Sequence, residues 1–264
     1  GSLSTTGSGT IKFNDGDNAY LTDTTTSGNL RLGAGAFLHT ITSWVNNGTL
    51  TFEANAGNSR LRSNGTDVNV TGTGMIDMTE GGNIDGGARF TFGSGQSIFG
   101  KGNLGANGTA FTIAGLINAN VSGQALVLDP ANAANAFVNN GTLRASNGGV
   151  LQITGNGAGD FINNSSIEAT GAGSAIEITA SSRVIGGTFT TSNNGAFRSA
   201  DGTSTYLQNT TIAANTNLVI GSNSSTYIEG ALTLNGSIGF KSTAVNSNQR
   251  LRTNRSEEHT SELQ

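Results

Sequence analysis

Short runs of alternating hydrophobic and polar residues recur along this chain. A charged residue stands between two apolar residues at Lys12, Arg31, Asp77, Arg144 and Glu168. Alternation with a period of two predicts β-strands with one buried face and one solvated face. Because an unpaired charge is costly to bury, these five residues are predicted to face solvent. The residues predicted to form a stacked core column are Ile11, Leu30, Leu50, Ile76, Leu143, Ile167, Phe189 and Ile212.

A seven-residue pattern also repeats along the chain. Residues 137–143 (FVNNGTL) are matched by residues 44–50 (WVNNGTL) and, more weakly, by residues 161–167, 183–189 and 206–212. From residue 137 onward, successive copies lie roughly 21–24 residues apart, which is typical of solenoid proteins. The pattern therefore predicts a stack of similar coils.

Each copy is followed by a second short apolar run, as at residues 151–153 (LQI), 176–178 (IEI) and 218–220 (LVI). A third run coincides with the start of the next copy, a spacing that suits β-turn-β units. Three strands and three turns per coil predict an all-β parallel β-helix, with about ten coils of ~22 residues over residues 9–240. Residues 100–107 fit no secure register of this repeat.

The Asn-Asn-Gly element of the repeat is predicted to form a corner between strands. Gly and Asn accept the left-handed backbone that tight corners often need. Stacked Asn side chains are also expected to form hydrogen bonds along the axis. The residues assigned to corners are Asn47, Gly48, Asn140, Gly141, Asn164 and Gly187.

Composition agrees with a long, thin core that has many turns. The 264 residues include 40 Gly and no Cys, with 11% charged and 34% hydrophobic residues. Frequent Gly and Asn disfavour long helices, and the lack of Cys excludes disulfides and cysteine metal sites. The net charge of -4 gives no basic face for nucleic acid. No apolar run reaches the ~18 residues of a transmembrane helix.

The final ten residues, 255–264 (RSEEHTSELQ), break this composition abruptly. The string matches the conceptual translation of a common sequencing adapter. We therefore interpret residues 255–264 as a non-native tail and exclude them from the fold. Residues 1–254 are predicted to be a single solenoid fragment that is open at both ends. Its unpaired strand edges are expected to promote association.

The pattern N-N-G-T-L-x-A at residues 139–145, with G-G-T-F-T-T-S at 186–192 and V-L-Q-I-T-G at 150–155, resembles bacterial β-strand-repeat surface proteins. These include autotransporter passengers and filamentous-haemagglutinin-like adhesins. The resemblance implies a secreted right-handed parallel β-helix, displayed at the cell surface as a stalk or adhesin. It implies no catalytic residues and no cofactor. The partners to be expected are glycans or surface proteins, and their binding residues are unknown.

A polysaccharide-degrading enzyme of the pectate-lyase type is the alternative function, because such enzymes share the β-helix architecture. They need outward acids that hold Ca²⁺, together with a Lys or Arg base. Asp77, Glu80, Asp85 and Arg89 form the local cluster of that kind. Because a shared fold does not by itself determine function, we interpret these residues as solvated charges and predict no enzymatic activity.

Three aspartates are candidate metal ligands. Asp15 and Asp17 lie in N-D-G-D-N, which places oxygen ligands at alternate positions around a Gly. Asp85 lies in G-G-N-I-D-G, part of a Ca²⁺-binding nonapeptide pattern. Turn chemistry explains both stretches without metal, so no metal is predicted. His39 has no histidine or cysteine partner for a metal site in the natural sequence.

Two further features bear on adhesion. Trp44, Tyr206 and Tyr227 begin copies of the repeat and are predicted to be core or stacked residues rather than sugar-binding platforms. Residues 121–136, which contain the lone Pro130, form the longest interruption of the repeat. We expect an adhesive segment to show a long loop there or an exposed apolar patch.

Overall fold

The computed structural model describes residues 1–53, 58–155, 161–241 and 248–253. Thirty strands and no helix occur in these residues, and every strand pairing is parallel. The strands stack as a β-solenoid of about 11 turns of ~22 residues. The predicted all-β parallel solenoid is confirmed, with about one turn more than expected.

Each level of the solenoid contributes a strand to three faces, which follow one another along the chain as faces A, B and C. Face A contains β2 (Thr10–Phe13), β4 (Asn29–Leu32), β6 (Thr49–Phe52), β9 (Met75–Met78), β12 (Ser97–Gly100), β15 (Leu116–Ala119), β18 (Thr142–Ala145), β21 (Ser166–Thr170) and β24 (Thr188–Ser192). Face B contains β7 (Arg60–Ser63), β10 (Asn83–Asp85), β13 (Gly102–Leu104), β16 (Ala125–Leu128), β19 (Val150–Gly155), β22 (Ala175–Ala180), β25 (Ala196–Ser199), β27 (Asn217–Ile220) and β29 (Ser237–Phe240). Face C contains β1 (Ser2–Ser4), β8 (Val68–Thr71), β11 (Arg89–Phe92), β14 (Ala110–Ile113), β17 (Phe137–Asn139), β20 (Phe161–Asn163), β23 (Arg183–Ile185) and β30 (Arg250–Thr253).

Four longer strands bend around a corner and serve two faces each. They are β3 (Asn18–Ser27), β5 (Phe37–Asn46), β26 (Ser204–Ile212) and β28 (Ser225–Leu234). The bends coincide with positive φ angles at Asp23, Thr42, Asn209 and Gly230. A single residue in the left-handed region is thus enough to turn the chain without ending the strand.

The core of face A is one continuous column of apolar residues. Strand register places each member directly above the previous one: Ile11, Leu30, Leu50, Ile76, Ile98, Ile117, Leu143, Ile167, Phe189, Ile212 and Leu234. All eight residues of the predicted column lie in it. Seven of them are buried, and Ile11 is half-buried at the first level.

The outward positions of face A hold the charged residues. Lys12 and Arg31 are exposed, whereas Asp77, Arg144 and Glu168 point outward but are half-buried by their neighbours. Arg144 Nε donates to Glu168 Oε1 at 2.5 Å across adjacent levels. The alternation in the sequence therefore gives the direction of these side chains.

Face C carries an aromatic column in the middle of the solenoid. Phe90, Phe111, Phe137 and Phe161 occupy successive levels, with ring centroids 5.0–6.3 Å apart. All four side chains are buried. Aromatic packing of this kind adds to the stabilisation from burying the apolar area.

The corners before face A are built by the first Asn of each Asn-Asn pair. The side-chain oxygens of Asn46, Asn139 and Asn163 accept hydrogen bonds from the backbone N–H two residues later, at 3.1–3.3 Å. Gly48 and Gly141 do not have positive φ. The left-handed backbone predicted for these two glycines is therefore wrong. Glycine is needed there for another reason: a Cβ would lie 2.1 Å from a carbonyl oxygen of the preceding level. Gly187, with φ +70°, does use the left-handed backbone.

Asn side chains also bond along the axis. Asn139 Nδ2 donates to Asn163 Oδ1 at 2.8 Å in the core, and Asn164 Nδ2 donates to Asn140 Oδ1 at 2.9 Å on the surface. The stack therefore has an inner and an outer Asn pair, which differ in burial.

Replacement of the inner Asn is expected to be the more damaging of the two. Asn139→Ala removes the acceptor of Gly141 N–H and the donor to Asn163, which should lower the free energy of unfolding by about 1–3 kcal/mol. Asn140→Ala is the control, because it removes an exposed contact and should cost about 0.5 kcal/mol or less. Urea unfolding measures both, and equal losses would contradict the assigned role of the inner Asn.

The face C register differs from the sequence alignment of the repeats. Val184 rather than Arg183 lies above Phe161, while Phe189 still lies above Ile167. The corner at this level is thus one residue shorter than the one before it. As a result Leu207 takes the inward position, and Tyr206 lies outward above Arg183. Residues 100–107, which had no register, contribute β13 between β10 and β16.

Candidate functional site

The residues of the lyase-like cluster lie on different parts of the solenoid. Asp77 is on face A, Asp85 on face B and Arg89 on face C, while Glu80 is exposed at the corner after face A. Arg89 donates to the backbone oxygens of Phe111 and Asn135, both at 2.9 Å. The structure therefore does not bring the four residues together in one groove.

The carboxylates of Asp15 and Asp17 cap backbone groups. Asp17 Oδ2 accepts the N–H of Asn14 at 2.9 Å, and Asp15 Oδ1 accepts the N–H of Ala34 on the next level at 3.1 Å. Neither is the hydrogen bond of an Asx turn, which joins the side chain to the N–H two residues later, but each engages an aspartate side chain with a backbone group. In the part of the chain that the structure describes, no group of three His, Cys, Asp or Glu residues is placed to hold a metal ion.

His39 lies in an aromatic cluster on the outer side of face B. Its ring stacks on Tyr20 with centroids 4.7 Å apart and meets the edge of Phe37. The residue is 8% exposed, whereas Tyr20 is 59% exposed. Burial lowers the pKa of His39 below its ordinary value of 6.5, and the Arg62 guanidinium lowers it further.

Acidification is expected to destabilise the fold through His39. The unfolded chain binds a proton near pH 6.5, but the folded chain resists protonation, so stability is lost as pH falls from about 6.5 through the folded pKa. Urea unfolding at about pH 7.5 and pH 5 should show this loss, and most carboxylates are still ionised at pH 5. His39→Phe keeps an aromatic ring, and the loss should then be smaller. An unchanged pH dependence in His39→Phe would contradict the assignment.

Asp85 is held between two arginines on the outer side of face B. Arg60 Nη1 donates to Asp85 Oδ2, and Arg62 Nε donates to Asp85 Oδ1 at 2.9 Å. The Asp85 side chain is only 7% exposed, and the two arginines are about one third exposed (34% and 35%). Both carboxylate oxygens are therefore engaged by guanidinium groups, which makes Asp85 unsuitable as a metal ligand.

Strand register creates this arrangement. β7 pairs with β10 so that Arg60 lies beside Asn83 and Arg62 beside Asp85. The two arginines alternate with inward Leu61, so both point outward from the same strand. The sequence shows R-L-R and a distant Asp, but it does not show that they meet. Alternation of arginines within a strand was the signal that could have indicated the cluster.

The arginine pair borders a small pocket at the corner between faces B and C. The pocket has a volume of about 300 Å³. It is lined by Arg60, Arg62, Asp85, Gly86, Gly87, Gly105, Ala106, Gly108 and Thr109. Four of these residues are glycines, so much of the wall is bare backbone. We call this feature the two-arginine pocket.

The other aromatic residues at repeat starts are stacked or buried. Trp44 is fully buried, and its Nε1 donates to Thr26 Oγ1 at 2.9 Å. Tyr206 and Tyr227 point outward and stack on each other at 4.8 Å, with Arg183 over the Tyr206 ring and Arg252 over the Tyr227 ring. Their ring faces are thus covered, which leaves little area for stacking a sugar.

The interruption at residues 121–136 is shorter than predicted. Its first half contains β16, which pairs with the levels on both sides. The rest is tied to the stack, since Ala131 N–H donates to Thr109 O at 3.0 Å and Phe111 N–H donates to Ala136 O at 2.6 Å. Pro130 is buried. No long loop leaves the solenoid over these residues.

Large exposed apolar residues among those described are Tyr20, Leu234, Phe240 and Leu251. The last three belong to the final level, where Leu234 and Phe240 lie above Ile212 and Ile220. The predicted tail, residues 255–264, lies outside the described residues. No helix that is long and apolar enough to cross a membrane occurs in the described chain.

Comparison with known proteins finds no matching family model, no similar curated protein and no similar solved structure. The architecture is shown by the structure itself. The similarity of the repeat to bacterial surface proteins rests on the sequence pattern alone.

Proposed function

We propose that this chain is a non-catalytic structural segment of a secreted or cell-surface bacterial protein, and that it acts as a rigid stalk or spacer. The observation that carries the proposal is the unbroken face A column, which runs through every level from Ile11 to Leu234. Parallel ladders on three faces join each level to the next, so the solenoid resists bending and compression as one unit.

Three further observations support the proposal. The residues that resemble a lyase site occupy different faces and bind separate partners. The interruption at residues 121–136 is tied to the stack rather than extended as a binding loop. The repeat pattern resembles that of bacterial surface proteins. A stalk or adhesin scaffold, rather than a polysaccharide lyase, fits this combination.

Distance measurements test the spacer role directly. Thr10 and Thr233 occupy the first and last levels of one outward column, ten strand spacings apart, so spin labels on Thr10→Cys and Thr233→Cys should lie about 48 Å apart. The chain has no Cys of its own to interfere. Excision of residues 142–210 removes three levels and should shorten the distance by about 14 Å. A broad or unchanged distance would contradict a rigid spacer.

Two control measurements address the other parts of the proposal. Incubation with polygalacturonate and alginate should give no new unsaturated ends, and their appearance would overturn the non-catalytic assignment. Antibodies raised against the purified segment should label intact cells that make the parent protein. Labelling only after the cells are opened would overturn the surface location.

A further inference from the structure

The two-arginine pocket presents oriented donors that its own residues do not use. Each guanidinium has five N–H donors, and Asp85 accepts one from Arg60 and one from Arg62. Neither guanidinium group forms another hydrogen bond or ion pair to a described residue, and that of Arg62 lies over the Phe37 ring, 5.7 Å from its centroid. Because the Asp85 carboxylate is nearly buried, it holds one edge of each guanidinium and leaves the remaining donors directed away from it.

The local charge of the pocket favours an anion. Two guanidinium groups and one carboxylate give a local charge of +1, in a chain whose overall charge is -4. Planar guanidinium groups match the oxygens of carboxylate and sulfate groups geometrically. A second carboxylate or a sulfate would therefore complete the coordination that Asp85 begins.

The walls of the pocket suit a hydroxylated ligand rather than an apolar one. Gly87 and Gly108 are exposed and present bare backbone, whereas Thr109 is buried behind them, with its hydroxyl group accepting the N–H of Gly87 at 3.2 Å. An ideal Cβ on Gly87 would meet no atom within 4 Å, so this wall is open to solvent. Apart from Ala106, no apolar side chain lines the pocket.

A ring-binding surface continues from the pocket along face B. Register places Tyr20, His39, Arg62 and Asp85 in one outward column over four levels. Tyr20 is the exposed member, and it lies two strand spacings, about 10 Å, from the level of Arg62. An extended chain that runs along this column would meet an aromatic ring and the arginine pair in turn.

We propose that the two-arginine pocket binds the anionic group of an acidic polysaccharide, either a uronate carboxylate or a sulfate ester. The arginine pair binds the anion, the exposed backbone of Gly87 and Gly108 accommodates the sugar hydroxyl groups, and Tyr20 contacts a neighbouring sugar ring. This role goes beyond the spacer function and does not depend on it, since a rigid stalk with or without the site has the same length.

Titration calorimetry on the purified full chain, at low and at physiological salt, tests the proposal. The probes are oligogalacturonate, which carries carboxylates, heparin oligosaccharide, which carries sulfates, and dextran, which is neutral. Binding of at least one acidic oligosaccharide is expected, with weaker binding at higher salt. The stronger of the two identifies the anion. Absence of binding to both, or equal binding of dextran, would overturn the proposal.

Variants locate the site. Arg60→Gln and Arg62→Gln should each weaken binding about tenfold or more, because each removes charge-assisted hydrogen bonds. Arg198→Gln is the matched control: Arg198 is also an outward arginine of face B, and it pairs with Glu177 at 2.6 Å. The control should change affinity by less than about twofold. Equal losses in all three variants would show non-specific attraction and overturn the site.

Two measurements keep the test independent of folding. In the unmodified chain, oligosaccharide should slow amide exchange at residues 85–87 and 105–109, and protection elsewhere without protection here would overturn the site. A single-stranded oligonucleotide of similar charge should bind at least tenfold more weakly than the acidic oligosaccharide. Equal or tighter binding of the oligonucleotide would reject a polysaccharide in favour of nucleic acid.

Discussion

Excision of residues 142–165 is expected to give a chain that still folds cooperatively and is one level shorter. Thr142 pairs with Ser166, and Leu143 with Ile167, so the excision brings an equivalent strand into the same register. The stability of a solenoid is close to a sum over its levels and their interfaces. Loss of 24 residues should therefore lower the free energy of unfolding by about 1–4 kcal/mol.

A half-level excision provides the control for this experiment. Removal of residues 142–153 deletes the face A and face B strands of one level but keeps the face C strand β20. Two face C strands would then follow one another, and the levels above could not stack in register on those below. Circular dichroism and urea unfolding should show loss of the cooperative transition. If this variant folds as well as the whole-level excision, the register of the three faces is not what stabilises the solenoid.

Truncation of the aromatic column is expected to have the second large effect. Phe137 is fully buried between Phe111 and Phe161, with ring centroids 5.8 and 5.0 Å away. Phe137→Ala should lower the free energy of unfolding by about 3–5 kcal/mol, through lost burial and the cavity left behind.

The adjacent residue supplies the control. Val138 is half-buried on the outer side of the same strand, and Val138→Ala should cost about 1 kcal/mol or less. Phe137→Leu should fall between the two, because Leu207 and Ile228 fill this column at other levels. Urea unfolding measures all three variants. A loss in Val138→Ala that matches Phe137→Ala would contradict the assignment of inner and outer faces.

The chain combines a regular core with irregular corners. The face A column keeps its register through every level, whereas the corners before it differ by up to two residues in length. Between Phe92 and Ile98 the chain advances six residues, but between their partners Ile113 and Ile117 it advances four. These differences do not disturb face A, but they change which residues meet on the other faces.

Local sequence determined much of the fold. Alternation of apolar and charged residues sets the inward and outward directions on face A, because burial of an unpaired charge is costly. The repeat spacing predicts the three-strand coil, and the Asn-Asn-Gly pattern marks the corners. Each of these inferences depends on residues that are close in the chain, such as Leu143, Arg144 and Asn139. The physical rules that they follow act over one strand or one turn.

Contacts between levels were decided by the tertiary structure. The partner of a residue lies about one coil away, and the offset depends on the length of every corner between the two. A corner that is one residue shorter turns Tyr206 outward. A different corner that is two residues shorter places Trp44 in the column of Asn139 rather than in that of Phe137. The same dependence brings Arg60 and Arg62 to Asp85. Local patterns specify which way a side chain points, but only the stacked coils specify what it meets.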